Sequence, residues 1–153
     1  MSLIEKNLSD HGITLPEPVA PVANYVPFVI TGNLVMISGQ VSIGPAGLIT
    51  GKVGEDLSLE DGVKAAEACA INLLAQLKAA CEGDLDRAVR CVRLGGFVNC
   101  GPEFTDHPKV INGASDLMVN AMGSAGKHAR AAVGSSSLPL GAAVEVDGIF
   151  EIA

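Results

Sequence analysis

Aromatic residues are almost missing from this chain: there is no Trp, one Tyr and four Phe among 153 positions. Its core must therefore be built from aliphatic and small side chains, with close packing in place of ring stacking. No apolar run approaches the ~20 residues that a bilayer span requires. Glu5 and Asp10 interrupt the N-terminus where an export signal would need a continuous apolar stretch, so a cytoplasmic protein is expected. Basic residues are also scarce. Ten Lys and Arg stand against 17 Asp and Glu, for a net charge of -7, and such a surface repels a phosphate backbone. Nucleic-acid binding is not the expected task.

Recognised chemical signatures are equally thin. The four cysteines, at positions 69, 81, 91 and 100, show neither CxxC spacing nor the density of a secreted scaffold, and are expected to be reduced, buried and small. His11, His107 and His128 form no HExxH or Cys/His cluster, so no metal and no cofactor are expected. Gly44, Gly47, Gly51 and Gly54 fit neither GxGxxG nor a Walker loop, and there is no GxSxG elbow. Ser135, Ser136 and Ser137 are expected to satisfy nearby backbone groups. Cys–His catalysis would need a thiol beside a histidine, and nothing along the sequence places one there.

What is present is a 48% hydrophobic fraction with only 18% charged residues, in a chain of ordinary single-domain length. Ser2 followed by Glu5 is a capping box for a short leading helix, ended by Gly12 and the prolines at 16, 18 and 21. Residues 26–30 and 34–43 read as strands joined at Gly32-Asn33. The Gly-rich stretch 44–57 reads as a loop. Ser58 and Asp61 form a second capping box, and Val63, Ala66, Ala70, Leu73, Leu74 and Leu77 mark one face of a helix over about 58–81. A third strand covers 88–98, with Val92, Leu94 and Val98 expected on one side and Cys91 and Arg93 on the other. Gly95-Gly96 is expected to mark a bulge or a close backbone approach. Val110, Ala114, Leu117, Met118 and Ala121 predict a second sheet-packed helix ending at Gly123. Strands over 129–137 and 142–152 close the chain, the last burying Val144, Val146, Phe150 and Ile152 with Gly148 on one face.

The predicted order is β-β-α-β-α-β-β after the leading helix: a mixed sheet with two helices on one face, an α+β domain. The second strand is apolar on both sides, Leu34 and Met36 opposing Val35 and Ile37. No further helix remains to cover the bare face, so a neighbouring subunit is the economical candidate.

Arg130 and Glu145 are the informative polar pair. A guanidinium can grip a carboxylate through two parallel hydrogen bonds, and a glutamate can orient a water or pass a proton. Position alone leaves Arg130 equally a structural ion-pair residue and Glu145 an exposed one. However, the segment 33–40, NLVMISGQ, and the segment 130–149, RAAVGSSSLPLGAAVEVDGI, resemble the two hallmark segments of the RidA family, also called YjgF, UK114 or endoribonuclease L-PSP proteins. The likeness runs from about Ala23 to the C-terminus and makes 1–153 a single RidA-like domain with 1–22 as an N-terminal extension.

That resemblance implies a chorismate-mutase-like fold, a homotrimer with clefts between subunits, and hydrolysis of reactive enamines and 2-imino acids to 2-ketoacids and ammonia. Arg130 matches the carboxylate-binding arginine and Glu145 the water-handling glutamate. Tyr25, Ser38, Gly39 and Asn112 match substrate-binding positions, and Ala132 offers a backbone carbonyl to the substrate nitrogen. Ala132 stands where relatives carry a cysteine, and the chain is longer than a typical member in its leading segment and around 96–111. The alternatives are a noncatalytic regulator that binds small carboxylates, and a hydrolase or endoribonuclease of other specificity. The expected partner is a small imino acid or ketoacid, with no membrane or nucleic acid.

Overall fold

The computed structural model describes residues 1–21 and 23–153. Helix α1 (Leu3–Asp10) starts on the capping box: Ser2 Oγ accepts from Glu5 N at 3.1 Å, and Glu5 Oε2 accepts from Ser2 N at 2.9 Å. Strands β1 (Phe28–Thr31) and β2 (Leu34–Val41) follow as the expected hairpin. Residues 43–48, read from sequence as the end of a strand and the start of a loop, instead form a miniature hairpin of β3 (Ile43–Gly44) and β4 (Gly47–Leu48). Ser42 ends β2 there, its hydroxyl donating to the Ile49 carbonyl at 2.9 Å.

Helix α2 (Leu59–Ala80) begins on its predicted cap, and its Ala65, Ala66, Cys69, Leu73, Leu74 and Leu77 are fully buried. Strand β5 (Ala88–Asn99), helix α3 (His107–Met122), strand β6 (Ala129–Ser135) and strand β7 (Val144–Ile152) complete the chain. The sheet order is β1-β2-β7-β5-β6, antiparallel throughout except for the parallel pair β5–β6 that α3 connects. Helices α2 and α3 pack together on one face of this mixed sheet. This is the chorismate-mutase-like α+β architecture.

The facing of β5 departs from simple alternation. Its register against β7 shifts between Cys91 and Arg93, and this irregularity puts both Cys91 and Leu94 in the core while Arg93 is exposed. The extra residue resets the parity of the strand, so Val92 does not share the Leu94 face as its spacing suggested. The glycine pair serves close approach. A Cβ on Gly96 would lie 2.6 Å from the Ile111 side chain of α3, so only glycine lets that helix settle on the sheet here.

The leading segment belongs to the same core. Ile4 and Leu8 are buried, Asn7 Nδ2 donates to the Ala121 carbonyl at 2.9 Å, and Glu5 meets Lys78 Nζ of α2 at 2.6 Å. Beyond α1, Gln76 Nε2 donates to the Val19 carbonyl at 2.8 Å and ties the extended stretch against α2. Opposite the helices the sheet is uncovered. Val29, Met36 and Ile149 align in register across β1, β2 and β7, and Phe97 and Val133 align across β5 and β6. Val29, Met36 and Val133 are each 42–53% exposed.

Candidate functional site

The alternation of β7 points Glu145 and Asp147 away from the helices. Glu145 is paired in register with Val41 on one side and Phe97 on the other, so its carboxylate rises from the uncovered face among apolar neighbours. It lines a cavity of about 280 Å³ together with Tyr25, Gly39, Gln40, Pro139 and Leu140. Gly39 makes the room: a Cβ there would lie 2.8 Å from Glu145 Oε2. Ser38 holds the wall, its hydroxyl donating to the Val26 carbonyl at 2.7 Å and its amide to Pro27 O at 2.9 Å, which fixes the loop that carries Tyr25. Burial, and then the nearby Asp147, push the Glu145 carboxyl above its ordinary range. Burial raises Asp147 too, against the pull of Arg93, whose Nη1 lies 3.8 Å away.

Two contributors to this cavity carry no sequence signal. Val19, Ala20 and Pro21 of the leading segment form one wall, although the likeness read from the sequence begins only at about Ala23. Leu140 on the opposite side sits at φ 60°, a left-handed conformation that costs a non-glycine residue roughly 1 kcal/mol or more, and it is 64% exposed. A strained, exposed leucine at a cavity mouth fits a residue held for what it touches.

Arg130 lies elsewhere. It pairs with Leu94 in the parallel register of β5 and β6, so its side chain leaves the sheet on the helix side, opposite to Glu145. There Nη1 donates to Ser115 Oγ at 3.0 Å and Nη2 to the Pro108 carbonyl at 3.1 Å. Ser115 continues to His128 Nε2 at 2.9 Å, and His128 Nδ1 reaches the Gly126 carbonyl at 2.6 Å. A carbonyl can only accept, so Nδ1 is the nitrogen that donates to Gly126. Pro108, Asn112 and Ser115 are spaced along one face of α3, which brings the exposed Asn112 to the same flank as Arg130. Ala132, two residues along β6, shares that side and packs against the core.

The predicted residues thus fall into two groups on one chain. Tyr25, Ser38, Gly39 and Glu145 gather at the uncovered face, and Arg130, Asn112 and Ala132 at the β6–α3 edge. A third feature escaped the sequence reading altogether. Cys100 Sγ lies 3.4 Å from His107 Nε2, so one thiol does stand beside a histidine.

A mixed five-stranded sheet with paired helices on one face, a carboxylate in an apolar cavity on the other and a braced arginine at the edge defines a chorismate-mutase-like domain. The family described as "YjgF/chorismate_mutase-like, putative endoribonuclease" matches residues 5–151. Protein TCP17 of Trypanosoma cruzi is 46% identical over 151 residues, covering 97% of this chain and 94% of that protein. The crystal structure of Atu1372 from Agrobacterium tumefaciens is 49% identical with a TM-score of 0.92, covering 99% of this chain and 93% of that one. A "putative endoribonuclease" from Shewanella oneidensis is 35% identical with a TM-score of 0.93, over 97% and 99% of the two chains. The chain belongs to the YjgF/RidA family. Among the described residues no helix is long and apolar enough to cross a membrane.

Proposed function

We propose that the protein hydrolyses 2-imino acids, and the enamines that interconvert with them, to 2-ketoacids and ammonia in clefts between copies of the chain. The carrying observation is the half-buried Glu145 in its apolar cavity, a proton acceptor raised above the ordinary carboxylate range. Arg130 on the same chain faces the other way, so a complete site joins Glu145 of one copy to Arg130 of a neighbour. The apolar uncovered face, with Met36 and Val133 at its surface, gives the copies a reason to associate. A closed homotrimer uses every such face once.

In this reading the neighbour's Arg130 holds the substrate carboxylate, its guanidinium braced by Ser115 and Pro108. The Ala132 carbonyl accepts from the substrate nitrogen. Glu145 takes a proton from water as the oxygen attacks C2 and the C=N electron pair moves to nitrogen. Glu145 hands that proton to the nitrogen to give the carbinolamine, then takes the hydroxyl proton and delivers it to the amine, so that the C–N bond breaks as the ketone forms and ammonia leaves. The imine is already electrophilic, so positioning and one proton acceptor suffice. RNA cleavage is less well supported, because a net charge of -7 opposes a polyanionic substrate.

Mixing tests the reading. R130A and E145A are each expected to release no ketoacid from freshly generated imino acids. Unfolding and refolding them together should restore about a quarter of wild-type activity, since random assembly gives each cleft about one chance in four of holding both native residues. No recovery from a mixture that assembles normally would refute the shared cleft. Saturable carboxylate binding without ammonia release by the wild type would leave a regulator in its place.

A further inference from the structure

Cys100 follows the last residue of β5, and His107 opens α3. They meet at 3.4 Å between Sγ and Nε2, and Phe104 braces the imidazole edge-on with ring centroids 5.4 Å apart. The opening above them comes from Gly134 on the edge strand β6. A Cβ there would lie 2.5 Å from His107 Nε2 and 2.8 Å from Cys100 Sγ, so any side chain would cap the pair. Gly134 is itself exposed, and the pair lines a cavity of about 560 Å³ that shares no lining residue with the Glu145 cavity. Lys52 and Glu55 also line it. The Lys52 ammonium is fixed by donating to Asn99 Oδ1 at 3.1 Å and to the Ser136 carbonyl. Among the described residues no group of three or more His, Cys, Asp and Glu could hold a metal ion, so the pair is not part of a metal centre.

We propose that Cys100 and His107 form a second site that captures small α,β-unsaturated carbonyl compounds covalently. The sulfur adds to the β-carbon while the thiol proton moves to His107 Nε2. The C=C electron pair becomes an enolate, for which the Lys52 ammonium on the cavity wall is the cationic donor. The proton then passes from His107 to the α-carbon, so nothing leaves and nothing is oxidised or reduced. This addition needs a nucleophile, a proton carrier and one donor for the enolate, which the pair and Lys52 supply, whereas acyl transfer would also need a protonated leaving group and a positioned water to release the acyl thiol. Burial holds the Cys100 thiol above its ordinary range, with Lys52 opposing and Glu55 adding to the shift, so the imidazole and not a resting thiolate has to provide the reactivity. Two of the other cysteines are held differently: Cys69 donates to the Val144 carbonyl at 3.4 Å, and burial pushes Cys91 up to about 12.

Acrylamide is the probe, added to the full-length protein at neutral pH, with adducts on each cysteine followed by peptide-mapping mass spectrometry. Cys100 should react at least ~10-fold faster than Cys69, Cys81 and Cys91, and H107Q should lower its rate at least ~10-fold without altering the other three. G134A forces its Cβ against His107 Nε2 and Cys100 Sγ, so it should slow Cys100 in the same way while lowering the melting temperature only modestly and leaving the labelling of Cys69, Cys81 and Cys91 unchanged. Equal rates at all four cysteines, or an unchanged Cys100 rate in H107Q, would overturn the proposal. Should H107Q loosen the fold, seen as faster labelling at every cysteine, the folded G134A variant decides: wild-type labelling of Cys100 there refutes it.

Discussion

Replacing Glu145 with Gln keeps the side chain's shape and removes its ability to take a proton. If Glu145 is the base, turnover should fall ~10²–10⁴-fold, a rise of roughly 3–5 kcal/mol in the barrier. Stability should move the other way. A carboxylate whose folded-state pKa is raised destabilises the fold when ionised, and that penalty is relieved as pH falls through the raised value. E145Q is fixed in the neutral form, so it should melt no lower than wild type at pH 7, with any advantage fading toward pH 4. The same cause sets the acid limb of the rate profile above the ordinary carboxylate range, burial contributing most and Asp147 next. D147N removes the second contribution and should move that limb to lower pH. Rates come from a lactate dehydrogenase-coupled assay with freshly generated imino acids, and stability from thermal unfolding. An E145Q rate within twofold of wild type, or an acid limb that D147N leaves in place, refutes the role given to this carboxylate.

Three further outcomes are expected. S115A takes one acceptor from Arg130 and should raise KM by roughly 3–10-fold, about 1 kcal/mol, with a smaller effect on kcat; steady-state kinetics separates the two. M36K places a charge in the uncovered apolar face and should weaken association at least ~100-fold in analytical ultracentrifugation while leaving the circular dichroism of the single chain intact. Glu5 is held down to about 2 from its ordinary 4.5, chiefly by its hydrogen bond with Lys78. Its contribution is therefore present above about 4.5 and lost as pH falls toward 2; E5Q should cost roughly 0.5–1 kcal/mol at pH 7 and nothing near pH 2, in denaturant titrations.

What could be read from the sequence was whatever is local. The two capping boxes, Ser2 with Glu5 and Ser58 with Asp61, formed as written because each needs only four consecutive residues. The alternation of β7 also held, since nothing in that strand interrupts a period of two. In β5 the irregularity between Cys91 and Arg93 defeats the period, and the three-residue offset from Cys91 to Leu94 shows itself only against the partner strand. The hairpin of β3 and β4 is too short to leave a pattern. For the site, resemblance supplied Tyr25, Ser38, Gly39 and Glu145, which the fold gathers, and Arg130, which it sets on the opposite side of the sheet. The brace from Ser115 and His128, and the meeting of Cys100 with His107 under Gly134, depend on where α3 lands on the sheet edge, which no linear spacing encodes.

Gln76 and Lys78 sit close together on α2, one gripping Val19 and the other Glu5. The strap running from α1 to Pro21 is therefore fastened at both ends to a helix that the sheet does not need to move. Changes in its sequence can reshape one side of the chamber around Glu145 without disturbing a single strand pairing. Selectivity can drift through the leader while the sheet below it stays constant.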